Sequence, residues 1–220
     1  MTAQSHIQVN RLSVHYGVGG NLFGKGGVLK AVDDISLEIP RGAFFGLVGE
    51  SGSGKSVTAS AIMRLLQIPP ARIAGGSIRF KGDDVLDMPL EQWRRRCGSE
   101  IAMVFQDALA SLNPVFTVGW QIAELFRVHG ERSRKQAEAR AVELLARVGI
   151  PDAENRARDY PHQFSGGMRQ RVMIAMAIAL GPDLLIADEP TTALDVTVQA
   201  QIMDLLQDLQ EEIGMAIVLI

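Results

Sequence analysis

Cysteine is nearly missing from these 220 residues; Cys97 stands alone. An internal disulfide is therefore excluded, and so is a cysteine-built metal site made by this chain alone. A single, partly buried thiol fits a reducing compartment. A basic excess is missing as well: the net charge of −3 leaves no electrostatic footprint for wholesale nucleic-acid binding, and no nucleic-acid partner is expected. Long apolar runs are also missing. The longest, Val172 to Leu180, is closed by Gly181-Pro182 and falls well short of the roughly 20 residues a membrane span needs, so it reads as a core helix. Met1 to Asn10 is mixed and polar, without the layout of a secretory signal.

Glycine, by contrast, is plentiful, and eight residues concentrate its use: Gly49-Glu50-Ser51-Gly52-Ser53-Gly54-Lys55-Ser56. The apolar run Phe44 to Val48 before them reads as a buried strand, and Val57 to Leu66 after them as a helix. Gly-x4-Gly-Lys-Ser between strand and helix is the arrangement of a phosphate-binding loop. Glycines let successive N–H groups turn inward toward an anion, and the following helix adds its positive N-terminal end. Lys55 can reach the β- and γ-phosphates of a nucleotide, and the Ser56 hydroxyl can ligate Mg²⁺.

The length suits one domain with an inserted part. Ile7 to Tyr16 alternates apolar and polar residues with one slip near Asn10, which predicts a strand. Gly17 to Gly27 reads as a flexible loop or hairpin tip, and Val28 to Ile39 as a second strand closed by Pro40-Arg41-Gly42. Further strands are expected at Gly76–Phe80 and Ile101–Phe105, the latter ending in Gln106, with a short Arg-rich helix between them at Met88–Arg96. From Val115 to about Tyr160 only helical spacing is found, as in Val118, Ile122, Leu125 and Phe126, then Ala141, Leu144, Leu145 and Val148. The expected organisation is an α/β core with an N-terminal antiparallel β part over 1–114 and 164–220, and an inserted helical part over 115–163. Met215 to Ile220 begins a last strand, and the chain stops inside it, which suggests a C-terminus cut short.

Two more stretches carry chemistry. Leu184-Leu185-Ile186-Ala187 reads as a buried strand ending in Asp188-Glu189. A carboxylate there is the partner that holds Mg²⁺ beside a phosphate loop, and Glu189 can polarise a water for in-line attack. Ser165-Gly166-Gly167 opens the helix that runs to Leu180. On its own this would be a Ser N-cap with close glycine packing; beside a phosphate loop it is a second anion-binding helix start. One nucleotide rarely needs both, so the second is expected to serve a nucleotide held by another subunit.

The order of Gly49–Ser56, Gln106, Phe164-Ser165-Gly166-Gly167-Met168, Leu184–Glu189 and Thr192-Ala193-Leu194-Asp195 resembles the nucleotide-binding subunit of ABC transporters. These would be the Walker A loop, Q-loop, signature motif, Walker B strand and D-loop. More narrowly, Gly49 to Thr58, Phe105-Gln106-Asp107 with Ser111-Leu112-Asn113-Pro114, Ser165-Gly166-Gly167-Met168-Arg169-Gln170-Arg171, and Asp188 to Thr197 resemble the oligopeptide, dipeptide and nickel importer branch. The resemblance implies a P-loop NTPase core of the ABC type and an ATPase using ATP and Mg²⁺. It implies that Tyr16 stacks on adenine and that Gly49, Ser51, Gly52, Gly54, Lys55, Ser56 and Val57 cradle the phosphates. Ser56, Gln106 and Asp188 would serve Mg²⁺, and Glu189 would be the general base, with Lys55 and Gln106 assisting. Ser165, Gly166 and Gly167 would touch the γ-phosphate held by a facing subunit, at an interface lined by Asp195. The implied partners are transmembrane permease subunits, docked near Gln106 to Phe116, a second ATPase subunit and, indirectly, a solute-binding protein. The implied place is the cytoplasmic face of the inner membrane. The family also implies a histidine beyond the last strand, and none of His6, His15, His129 or His162 replaces it. A soluble ATPase of DNA repair or translation would bring large insertions, tandem cassettes or basic surfaces. A kinase or switch GTPase would not need Ser165-Gly166-Gly167.

Overall fold

The computed structural model describes residues 5–19, 27–130, 133–192 and 194–220. Most of the glycine-rich stretch Gly17 to Gly27, the first two residues of the charged run Glu131 to Arg140, and Ala193 lie outside the described residues.

Two four-stranded sheets share the work. The first is antiparallel, in the order β2-β1-β4-β5, with β1 at Ser5–Val18, β2 at Gly27–Pro40, β4 at Ala71–Phe80 and β5 at Asp83–Asp84. The slip in the alternation near Asn10 is a bulge: Val9 pairs with Leu37 but the next aligned pair is Leu12 with Ile35. Arg11 and Asp34 there take positive φ, 48° and 55°. The Ser36 and Ser13 hydroxyls accept the Arg11 and Asp34 backbone N–H groups, so the extra residue restores Val9 and Leu12 to the buried face at no cost in unpaired donors.

The second sheet is parallel, in the order β3-β8-β7-β6, from Phe44–Gly46, Ala216–Leu219, Leu184–Ala187 and Ile101–Val104. All four residues of β7 are buried, as expected for a parallel strand covered on both faces. The faces alternate: Leu185, Ala187 and Ile217 join one apolar cluster, while Leu184, Ile186, Ala216 and Val218 join the other. The first cluster contains the helices α4 (Val118–Val128), α5 (Arg134–Arg147), α7 (Gly166–Ile178) and α8 (Val196–Ile213). The second contains α1 (Lys55–Ile62), Trp93 of α2 (Leu90–Arg96) and the inner face of the antiparallel sheet. The parallel sheet is thus the common wall of a three-layer arrangement.

Between β6 and β7 the described chain forms only helices: α3 (Ala108–Ser111), α4, α5, α6 (Ala153–Arg156), a short 3-10 turn at Pro161–Gln163, and α7. In α4 the residues Val118, Ile122 and Phe126 are buried, and in α5 Ala137, Ala141, Leu144 and Leu145 are buried, so the helical spacing read from the sequence is the spacing of a real apolar seam. Helix α1 starts two residues earlier than expected and ends at Ile62; Arg64 then turns to φ 55°, which takes Leu65 and Leu66 out of the helix. Strand β4 begins at Ala71, five residues before the expected start, because β1 continues past its bulge and offers His15 and Tyr16 as partners for Arg72 and Ala71.

Trp93 is fully buried, its ring edge-on to Phe80 and its indole N–H donating to the Met63 carbonyl at 3.0 Å. It joins α2, the end of α1 and the antiparallel sheet. Trp93→Ala is expected to lower unfolding free energy in urea by about 3–5 kcal/mol, the usual cost of emptying a large aromatic site.

Candidate functional site

The chemistry-bearing residues gather at the carboxyl ends of the parallel strands, where open α/β sheets place their ligands. β3 leads into the phosphate loop, β6 into Gln106, and β7 into Asp188-Glu189. A cleft of about 550 Å³ opens there, lined by Tyr16, Leu29, Lys30 and Ala31 on one side, by Ser51, Gly52 and Gly54 to Val57 on another, and by Gln106 and Glu189. Its size is that of small-molecule sites in general. None of the four histidines lines it.

Backbone geometry makes the loop. Gly54 takes φ 92° at the start of α1, and a Cβ there would sit 2.4 Å from the Ala31 carbonyl oxygen of β2, so only glycine fits. Among the described helices of eight residues or more, α4, α5, α7 and α8 are each capped by a side chain, from Thr117, Ser133, Ser165 and Asp195, whereas α1 begins at Gly54 with no side-chain cap. The first-turn N–H groups of α1 are therefore left for a ligand, and the helix end favours a negative one.

Lys55 reaches back over the loop, its Nζ donating to the Gly49 and Glu50 carbonyls at 2.8 Å each. The Ser56 hydroxyl donates to Asp188 Oδ1 at 2.9 Å. Burial pushes the Asp188 carboxyl above its ordinary value; the Ser56 hydroxyl and Lys55 pull it down, and the neighbouring Glu189 pushes it up. Two adjacent oxygen donors, one a desolvated carboxylate, fit a hard divalent cation. Gln106 Nε2 donates to Glu189 Oε2 at 2.7 Å, so the loop after β6 and the turn after β7 are in contact through those two side chains.

Tyr16 is half-buried and lines the cleft. It stands on β1, an interior strand, opposite Leu29 on one side and Ala71 on the other, and not at a sheet edge.

Ser165, Gly166, Gly167 and Asp195 do not line this cleft. They lie together at the starts of α7 and α8. The Ser165 hydroxyl accepts from the Met168 N–H at 3.3 Å, and the Asp195 carboxylate from the Val198 N–H at 3.0 Å. A Cβ on Gly167 would come within 2.6 Å of the Val198 side chain, so the two helix starts are pressed together. In this chain the pair makes its own surface.

Three cleft features have no counterpart in the sequence reading. Leu29 and Lys30 enter only because β2 pairs with β1. The Thr192 hydroxyl donates to Glu189 Oε2 at 3.0 Å. Glu189 itself takes φ 47°, which no residue-type pattern announces.

Residues 32–192 match the protein family described as ABC transporter. Similar curated proteins include the dipeptide transport ATP-binding protein DppD of Haemophilus influenzae and that of Escherichia coli (strain K12). Each is 51% identical over 214 residues, covering 97% of this chain and 63% of the relative. The chain spans less than two thirds of the length of the curated relatives it matches, 62–63%. Among solved structures, the dimeric structure of the bacterial ABC transporter cassette MJ0796 aligns with a TM-score of 0.82 at 29% identity, over 97% of this chain and 87% of that one. A dimeric post-hydrolysis state of the ATP-binding cassette MJ0796 bound to ADP and Pi aligns with a TM-score of 0.81 at 29% identity, over 97% and 86%.

The raised Asp188 carboxyl sets a pH dependence. Its folded value lies above the unfolded value of about 3.9, so the native state binds more protons in that window and stability falls as pH rises through it. Asp188→Asn, without nucleotide or metal, is expected to melt at higher temperature than wild type at neutral pH, with the gain shrinking as pH falls to the unfolded carboxyl value. Thermal melts between pH 4 and 8 check this; a gain that does not depend on pH contradicts it.

Proposed function

The chain belongs to the ABC transporter family, and from that premise we propose that it is the ATP-binding, ATP-hydrolysing subunit of a membrane importer of peptides. The observation that carries the proposal is the uncapped start of α1 at Gly54, facing a cleft whose far wall presents Gln106 and Glu189. A triphosphate fits that helix start, and the Ser56–Asp188 pair fits the accompanying Mg²⁺. When bound there, Mg²⁺ would supply neutralisation of the phosphate charge. The chain's own parts in this reading follow from their positions. Gly49, Ser51, Gly52, Gly54 and Val57 shape and line the phosphate cradle, and Lys55 exchanges its two loop carbonyls for phosphate oxygens. Gln106 is the further Mg²⁺-side contact, Glu189 takes the proton of the attacking water, and Tyr16 with Leu29 offers an apolar face to the base.

The exposed pair of helix starts supports a role for Ser165, Gly166, Gly167 and Asp195 toward a second ATPase subunit's nucleotide. The MJ0796 cassette is solved as a dimer in two structures, which supports that reading. No described helix is long and apolar enough to cross a membrane, so attachment is proposed through permease subunits at the cytoplasmic face of the inner membrane. Phe105, Val115, Phe116 and Trp120 are exposed, and the Phe116 and Trp120 rings stack 4.1 Å apart. They are the apolar anchors such a partner would cover. The solute class rests on the names of the relatives, which carry dipeptide transport. Import of nickel or other small solutes rests on the sequence resemblance alone, as does the indirect solute-binding partner. The assignment of 1–114 with 164–220 to the core and of 115–163 to the helical part belongs to the same proposal.

The test combines ATP binding, hydrolysis and light scattering after size exclusion. Wild type should bind ATP, and Lys55→Ala should weaken binding at least tenfold, about the loss of one or two hydrogen bonds to a charged group. Glu189→Gln should keep binding, lose roughly 10²–10⁴ in hydrolysis rate and dimerise with ATP; adding Ser165→Arg should abolish the dimer. A folded wild-type chain that does not bind ATP overturns the proposal. A Glu189→Gln dimer that persists with Ser165→Arg overturns the role given to the second helix start.

A further inference from the structure

Glu189 is held in an unusual way for a residue asked to take a proton. Both of its side-chain hydrogen bonds fall on one oxygen. Gln106 Nε2 reaches Oε2 at 2.7 Å from the loop after β6, and Thr192 Oγ1 reaches the same Oε2 at 3.0 Å from three residues further along the chain. Among the described residues no donor reaches Oε1. The backbone around it is fixed from several sides. The Glu189 N–H donates to the Ile220 carbonyl at 3.1 Å and the Thr192 N–H to the Glu189 carbonyl at 3.2 Å. Glu189 sits at φ 47°, a conformation that an L-residue keeps only when its surroundings impose it. Pro190 is buried and has a ring-locked φ. From α8, Gln199 Nε2 donates to the Thr191 carbonyl at 3.2 Å and the Leu194 carbonyl at 3.0 Å, so the segment carrying Thr192 is tied down at both ends.

We propose that Thr192 is a positioning residue for hydrolysis: its hydroxyl, together with Gln106, immobilises Oε2 of Glu189 so that Oε1 alone is presented to the attacking water. This rests on the proposed ATPase function. The reasoning is geometric. A carboxylate on a flexible stem presents either oxygen over a wide cone. Two donors from different loops meeting on one oxygen remove the rotation about the terminal bond and leave one lone-pair direction for proton transfer, which requires heavy atoms within about 2.6–3.2 Å and aligned. Gln106 alone leaves the carboxylate free to swing about a single contact. Thr192, bonded through backbone and side chain to Glu189, supplies the second point.

The experiment is a cycle of Thr192→Val and Thr192→Ser, each in the wild-type and Glu189→Gln backgrounds, with single-turnover and steady-state ATP hydrolysis, equilibrium ATP binding, and amide hydrogen exchange without nucleotide. Thr192→Val keeps the shape and loses the donor. It should lower kcat roughly tenfold or more, as expected for one lost hydrogen bond to an ion, with KM and ATP affinity within about twofold. Thr192→Ser should restore kcat to within about threefold of wild type. In Glu189→Gln, where no proton can be taken, Thr192→Val should cost less than about twofold, so the two losses are not additive. Exchange over residues 189–195 should quicken several-fold in Thr192→Val and not in Thr192→Ser. If wild type hydrolyses ATP and Thr192→Val leaves kcat unchanged, or lowers it equally in both backgrounds, or is no worse than Thr192→Ser, the inference is overturned. If folded wild type binds ATP without hydrolysing it, the ATPase reading falls and this inference with it.

Discussion

The contact on which the site depends is between two stretches of backbone. Gly54, in a conformation that L side chains rarely adopt, lies so close to the Ala31 carbonyl that no Cβ fits between them. That contact fixes where α1 begins, and everything else is measured from there. It places the free N–H groups of the first helical turn beside β2, whose Leu29 and Lys30 form the wall next to Tyr16. It places Ser56, two residues on, within reach of Asp188 at the end of β7. The antiparallel sheet and the phosphate loop are thereby held in direct contact, although along the chain they are separated by the turn at Pro40–Ala43 and β3 on one side and by α1 and residues 63–70 on the other.

The parallel sheet supplies the other half of the frame. β8 lies between β3 and β7, and its carbonyl ends serve both neighbours. Leu219 accepts from the Leu47 N–H ahead of the phosphate loop, and Ile220 accepts from the Glu189 N–H. The glycine-rich loop and the turn at Glu189 are therefore registered against one strand by short backbone bonds. The strand pair β7 and β8 is buried on both faces, in separate apolar clusters, the setting in which local opening is costly. The polar groups stand at its edge. The Lys81 link to Glu100 at 2.7 Å and Asp183 at 2.5 Å joins the two sheets at the opposite strand ends, but it is about one third exposed and contributes little beside the apolar wall.

Much of this was legible from residue order because the signals were local. Strand β7 is four apolar residues, the phosphate loop has a fixed spacing, and the α4 and α5 seams repeat at helical period. Even the slip near Asn10 was visible as a break in alternation and is a bulge in the sheet. What stayed hidden depends on pairing across distance or on backbone angles. Nothing near Leu29 or Lys30 says that they line a nucleotide-sized cleft, since they arrive there by pairing with β1. The two-residue strand β5 and the four-residue helices α3 and α6 are too short to show a period. Arg64 ends α1 through its own positive φ, where the sequence offered only apolar residues and a Pro-Pro pair further on. Thr192 was in plain view inside a quoted motif. Its bond to Glu189 depends on the left-handed turn at Glu189, which residue type does not encode.

Lys55 makes two hydrogen bonds to the carbonyls of its own loop, and this bears on turnover. A buried ammonium whose only partner is its ligand would hold that ligand until something else replaced the lost bonds. Here the replacement is built in. A departing anion hands the lysine back to Gly49 and Glu50, and an arriving one must outcompete them, so part of the attraction between cation and phosphate cancels at both steps. The loop thus gives up some depth in its binding well for reversibility. Under the proposed ATPase reading, that exchange favours cycling over grip.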